Sequence, residues 1–390
     1  MPITVLQIIP NLGAGGGEQA CIDMTAGLTA RCCRALVVSA GGRRVAEIAR
    51  LGGEHFEQPV ASKNPVKIIK NAFWLARFIR AQKVDIVHAR SRAPAWSAGM
   101  AARMTKRPFV TTFNAIYKFS NPFKKAYNRS MARGDVIIAI SRFVADHIRE
   151  AYAIDPKKIR IIYRGIDLEK FSPARVTDEQ RAALRQSWNV RDGQRLILLP
   201  ARLSPIKGQA LFIKAMALLS RRSPKGEGGL PADTDAVAVI VGDDQGREGY
   251  RRELEELIRA NNLQDKVRLV KHCADMPAAY SLVDLVVMPS FVPEGFGRVP
   301  VEAMAMGVPV IASDLGATRE TVVENETGWL LPPENPEKWA AAIKQALSLS
   351  PEQRAQMAHK AVRRVQTLFN RKNMIAETLA VYDAIMSKGA

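Results

Sequence analysis

Metal-type cysteine spacing is missing from this chain. Its four cysteines, Cys21, Cys32, Cys33 and Cys273, make no C-x-x-C pair and no zinc pattern. Buried, reduced thiols in a cytoplasmic protein are the expectation. No stretch approaches the roughly 18 apolar residues of a membrane span. The first ten residues carry no basic leader and read as a first strand rather than a signal peptide. Acid is scarce in one half: residues 1–170 hold 28 Lys+Arg against 12 Asp+Glu, a net +16 of the chain's +19. Such asymmetry points to an anionic partner held by the N-terminal half. Nucleic acid and an anionic membrane surface both fit in principle. No recognition motif or aromatic-interleaved strand accompanies the charge, so nucleic acid is not expected as a partner.

What is present is a soluble-type composition, 47% hydrophobic over 390 residues, enough for two or three domains. Strand signals at 5–9, 35–39, 84–88, 109–113 and 136–140 alternate with helical stretches near 18–30, 65–81, 94–104, 122–132 and 142–152. The second half repeats the pattern, with strands at 196–200, 237–241, 267–270, 285–288 and 309–312. Alternation of this kind predicts an α/β fold of two doubly wound domains, each binding at the carboxyl ends of its parallel strands. The polar stretch Asp167–Arg175 marks the boundary. Residues 220–235 read as a glycine- and charge-rich surface loop. It contains Asp233-Thr234-Asp235, a literal D-x-D that reads as a helix cap or solvated turn. No metal and no cofactor are expected.

The most informative segment is Glu294-Gly295-Phe296-Gly297-Arg298-Val299-Pro300-Val301-Glu302. It follows a buried-strand signal and leads into a short apolar helix closed by Gly307 and Pro309. Pro300 suits the first helical position and Gly307 the left-handed residue past the end. On that reading Glu294 lies in a loop, Glu302 lies in the first helical turn, and the amides between them face an anionic phosphate. Carboxylates that accept from hydroxyls, beside amides that bind a diphosphate, suit a sugar nucleotide. Arg202 and Lys207 follow the strand at 196–200, where two cations would stabilise the charge that builds on a departing phosphate.

The Glu294–Glu302 spacing resembles the E-x7-E motif of retaining glycosyltransferases of family 4. Four further motifs come in that family's order: Gly16-Gly17-Glu18, Arg202-Leu203 with Lys207-Gly208, Val241-Gly242-Asp243, and Gly307-Val308-Pro309 with Gly328-Trp329-Leu330. The resemblance implies the GT-B fold, two Rossmann-like domains whose parallel sheets face an interdomain cleft. Residues 1–168 would be the acceptor side and 169–371 the nucleotide-sugar side, with a last helix of about 372–390 packing back onto the first. It also implies a retaining, metal-independent hexosyltransferase. Glu294 would contact hydroxyls of the donor sugar, Phe296 and Gly297 would offer it amides, and Glu302 would accept from the ribose. Gly16 and Gly17 would close over the donor phosphate. Arg298 reads equally as a diphosphate ligand and as a surface residue. Ala201 and Lys271 stand where the family usually has glycine.

Asn114 is the main departure, because it stands where many members of the family place a histidine. An amide cannot act as a base but can bond a sugar hydroxyl. Retention would then run on one face of the sugar, with the departing phosphate oxygen taking the acceptor proton. His88 reads equally as a structural residue and as an acceptor-side residue. The stretch from His88 through Arg90 and Arg92 to Trp96, with 127–135, is similar to bacterial lipopolysaccharide-core mannosyltransferases. The donor expected is GDP-mannose or a UDP-hexose, and the acceptor an anionic glycolipid. An exopolysaccharide intermediate and a soluble acceptor are the alternatives. The basic amphipathic segment 65–83 and the cations of 119–133 suit an anionic membrane, which would hold the protein at the inner face of the cytoplasmic membrane.

Overall fold

A computed structural model describes residues 2–13, 15–220 and 235–389 of the chain. The glycine-rich stretch expected as a surface loop falls almost wholly at 221–234, outside the described residues. Two compact units emerge: Met1–Gly165 together with Arg371–Ala390, and Ile166–Asn370.

The first unit carries β1 (Thr4–Ile8), β2 (Arg34–Ser39), β3 (Glu54–Glu57), β4 (Ile86–Ala89), β5 (Phe109–Phe113), β6 (Val136–Ala139) and β7 (Ile159–Ile161). They pair in the order β3-β2-β1-β4-β5-β6-β7, all parallel. The second unit carries β8 (Arg195–Pro200), β9 (Ala236–Val241), β10 (Val267–Val270), β11 (Leu285–Met288), β12 (Val310–Ser313) and β13 (Gly328–Leu331). Their order is β10-β9-β8-β11-β12-β13, again all parallel. Sheets of this kind are covered by helices on both faces, so their strands are apolar on both sides. Every residue of Phe109–Phe113 and of Ala236–Val241 is buried accordingly. The strand order turns between β1 and β4 in one unit and between β8 and β11 in the other, and ligands of doubly wound sheets bind outside the carboxyl ends at such points.

Three strands go beyond the sequence expectation: β3, β7 and β13. Each is an edge strand of three or four residues. The helix expected over 122–132 is Pro122–Asn128, followed by a 3-10 turn at Arg129–Arg133.

The last helix, Arg371–Gly389, belongs to the first unit. Met374, Leu379 and Tyr382 join Val5, Met24 and Leu28 in its core. Gly27 permits this packing, since a Cβ there would lie 2.3 Å from Cγ2 of Ile375. In the second unit, the loop after β8 passes so close to the end of β9 that a Cβ on Gly242 would lie 1.9 Å from the carbonyl oxygen of Ala201. Backbone cannot yield as a flexible side chain does. Gly242→Ala is expected to destabilise the protein by about 1–3 kcal/mol, read as a fall in the denaturant midpoint; an unchanged midpoint would refute this packing account.

Candidate functional site

At the turn of strand order in the second unit, two loops meet. One follows β8, where a 3-10 turn at Pro205–Lys207 ends on Gly208 at φ +74°. The other follows β11. They touch through backbone: a Cβ on Gly208 would sit 1.9 Å from the Pro289 carbonyl oxygen, and the Phe291 N–H donates to the Ile206 carbonyl at 2.9 Å. That contact brings Lys207 to Glu294, with Nζ 2.5 Å from Oε1. Ser290 Oγ donates to the same carboxylate oxygen at 3.0 Å. The Glu294 carbonyl accepts from the Ala317 N–H at 3.0 Å, which fixes the loop from its far side. Arg202 is exposed at the carboxyl end of β8, and among the described residues its guanidinium has no hydrogen bond or ion pair. A partly buried cation–carboxylate pair, with an exposed guanidinium five residues before the lysine on the same loop, can divide a ligand between them: hydroxyls to the carboxylate, phosphate oxygens to the cations.

Glu302 needs a correction. The helix begins at Arg298, behind Gly297 at φ +79°, so Pro300 is its third residue and Glu302 lies in the second turn. Glu302 is buried and held on both sides. Tyr280 donates its hydroxyl to Oε2 at 3.1 Å, and Arg298 donates to Oε1 at 2.8 and 3.2 Å. Burial, with Glu302 beside it, pushes the Tyr280 phenol well above its ordinary value. Arg298 is thus not a bare surface residue; it pairs with Glu302 across one helical turn. The Phe296 ring is buried edge-on against Phe369, with centroids 5.5 Å apart, and so anchors the loop. Tyr280 and Ser290 carry no motif that marks them in the sequence.

In the first unit, Gly16 and Gly17 open the helix Gly16–Ala30, the next element after β1. Asn114 lies against Gly17, where a Cβ would come within 3.1 Å of Nδ2. Its Nδ2 donates to the Arg90 carbonyl at 2.7 Å, and its Oδ1 accepts from Arg164. One of the two amide N–H donors of Asn114 is thus turned to backbone and its oxygen to Arg164, so that Asn114 ties the ends of β4 and β5 to Arg164.

His88 is fully buried, with Nδ1 2.6 Å from the Tyr382 hydroxyl and Nε2 2.7 Å from Thr112 Oγ1. Of the two readings of His88, this geometry favours the structural one. Arg90 is buried too, donating from Nε to Gln7 at 2.8 Å. Arg92 donates to Asn128 at 3.0 Å and lies over the Tyr117 ring, 4.3 Å from its centroid. Of the D-x-D, Asp233 and Thr234 lie outside the described residues, while Asp235 pairs with Lys266 and accepts from Gln194.

Burial, reinforced by Arg90 and Arg164, holds His88 well below the ordinary histidine value. The half-buried His55 and His147 are lowered too, mainly by burial. A depressed folded-state value means that neutral histidine contributes stability above the unfolded value near 6.5, and that this is lost as pH falls below it. The wild-type denaturant midpoint should therefore drop between pH 7 and pH 5. His88→Gln should flatten the drop, whatever its cost at pH 7, and an equally steep drop would contradict it.

Residues 180–364 match the family described as Glycosyl transferases group 1, and residues 14–170 match Glycosyltransferase Family 4. The D-inositol 3-phosphate glycosyltransferase of Jonesia denitrificans is 30% identical over 316 residues, which cover 77% of this chain and 71% of that protein. A crystal structure of a glycosyltransferase from Rickettsia africae superposes with a TM-score of 0.90 at 32% identity, over 99% of both chains. The Anabaena protein HepE, crystallised with UDP-glucose, gives 0.79 at 25% identity, over 97% of this chain and 100% of that one. The chain thus belongs to the glycosyltransferases in which a family 4 domain precedes a group 1 domain on the GT-B fold.

Proposed function

We propose that the protein moves a hexosyl group, mannosyl in the first instance, from a nucleotide sugar to a hydroxyl of an anionic, membrane-held glycolipid. The transfer retains anomeric configuration and uses no metal. The observation that carries the donor side is the Lys207–Glu294–Ser290 cluster, with exposed Arg202 on the same β8 loop, all following the carboxyl ends of β8 and β11. A nucleoside diphosphate suits that edge of a doubly wound sheet. HepE, crystallised with UDP-glucose, makes a UDP-hexose the donor to weigh against GDP-mannose.

In the reaction the bond from the anomeric carbon to the diphosphate oxygen breaks, and a bond to the acceptor oxygen forms on the same face. The acceptor proton passes to the departing phosphate oxygen. Arg202 and Lys207 offset the charge that builds there, a role worth about 10²–10³ in rate for a well-placed donor. Glu294 exchanges part of its contact with Lys207 for hydroxyls of the sugar. Glu302, oriented by Tyr280 and Arg298, takes the ribose hydroxyls. Asn114 and His88 serve as positioning residues behind the acceptor edge.

The acceptor's anionic character rests on the +16 of residues 1–170. A lipopolysaccharide-core glycolipid meets it, and would place the protein on the inner face of the cytoplasmic membrane. Among the described residues no helix is long and apolar enough to cross a membrane. The name of the Jonesia relative favours a second reading, a soluble phosphorylated polyol as acceptor.

A thermal-shift panel of GDP, UDP and their sugars tests the donor side. A ligand at 100 times its dissociation constant adds about 2.7 kcal/mol of stability, and no shift from any of them would sink the proposal. Glu302→Ala should weaken nucleotide binding by about tenfold or more. Glu294→Ala should keep the nucleotide shift while lowering transfer by about 10²-fold. Equal loss of binding in both would refute that division of labour.

A further inference from the structure

We propose that the helix Pro65–Ala81 and the start of the helix Pro122–Asn128 form a docking face for an anionic lipid bilayer. The proposal deepens the reading of a membrane-held acceptor and rests on it only for the acceptor's location. Ala72, Leu75, Ala76 and Ile79 turn the inner side of the helix Pro65–Ala81 into the protein. Its outer side is apolar as well: Val66 is 60% exposed, Ile69 46% and Phe73 62%. These three recur at helical spacing and form one stripe. Phe123, at the start of the other helix, is 86% exposed. Of the nine large apolar side chains exposed among the described residues, four lie on these two helices. Isolated exposed apolar residues are ordinary, but a stripe of them on one helix face marks an interaction surface.

Charge identifies the occupant. Residues 58–134 hold 16 Lys+Arg and a single acid, Asp85. Lys67, Lys70 and Arg77 are exposed around the stripe, and Lys124 and Lys125 are exposed beside Phe123. The chain passes from β3 to β4, β5 and β6 in steps that all run the same way across the sheet. Right-handed crossovers therefore place the intervening helices on one face. Consistent contacts join the helix Pro65–Ala81 to Arg92–Thr105, and that helix to the turn Arg129–Arg133. Helices of this kind begin at the carboxyl edge of the sheet and run back along it. Val66, Ile69 and Phe123, near the starts of their helices, thus lie toward the edge that also carries Arg90 and Asn114. A bilayer there would present a lipid-linked hydroxyl to that edge. Aliphatic Val66 and Ile69 have no partner on a nucleic acid, whereas both suit the acyl boundary of a membrane ringed by anionic headgroups.

Co-sedimentation of the full chain with vesicles tests this. Mixed phosphatidylglycerol–phosphatidylcholine vesicles should bind it and phosphatidylcholine alone should not, with binding weakened by salt. Each cation near an anionic leaflet contributes about fivefold to partition, so Lys67→Glu with Lys70→Glu should lower binding by about 25-fold or more. Val66→Ser, Ile69→Ser and Phe73→Ser together should lower it by at least about tenfold. The nucleotide-induced thermal shift should persist in both variants. Failure of the wild type to bind anionic vesicles, unchanged binding in the variants, or displacement of vesicles by duplex DNA would each overturn the proposal. Loss of the nucleotide shift in the wild type would overturn the donor assignment instead.

Discussion

The meeting of two loops at the carboxyl edge of the second sheet depends on a missing atom. Gly208 has no Cβ, so the loop after β8 can lie against the Pro289 carbonyl, and Lys207 and Glu294 come within hydrogen-bond reach although 87 residues separate them. A side chain at Gly208 would part the loops before any charge were altered. The ion pair follows from backbone contact; it does not create it. A partly buried pair of this kind adds little net stability, since desolvation offsets most of the attraction. Its value is positional: each charge holds the other ready for a ligand that can replace it.

Much of this was legible in the sequence, for identifiable reasons. Strands buried on both faces read as unbroken apolar runs, so the central strands stood out. The edge strands β3 and β7 did not, because Glu54-His55-Phe56-Glu57 is mostly polar, Ile159-Arg160-Ile161 is broken by an arginine, and both are too short to show a period. The loop position of Glu294 was readable from the strand before it. The helix start was not. Proline lacks a donor, but none of the first three helical N–H groups has an intrahelical partner, so Pro300 sits as easily at the third position as at the first. The two-residue shift moved Glu302 into the second turn and put Arg298 one turn before it.

The first unit shows where local reading ends. Nothing near His88 in the chain announces Tyr382, which lies 294 residues on and occupies one nitrogen of its ring. Nothing near Asn114 announces Arg164 or the carbonyl of Arg90. Each side chain has a chemistry that a site could use, and each commits hydrogen bonds to distant parts of its own unit. Long-range partners decide between a ligand and a structural bond, and a motif contains no record of them. Charge behaves differently. It was visible as a total in the sequence, and the order of strands then sorted it onto one side of the sheet.

The last helix gives the first unit a peculiar assembly history. Its residues Arg371–Gly389 leave the ribosome after the whole of Ile166–Asn370, yet Tyr382 and Met374 fill the core beside β1. Domains generally fold as units during synthesis, N-terminal first. Here the earliest-made unit stays incomplete, with an uncovered apolar flank along the helix Gly16–Ala30, while the later-made unit can already close. The order of synthesis and the order of completion are reversed, and the nascent chain must keep that flank from associating until its final turns arrive.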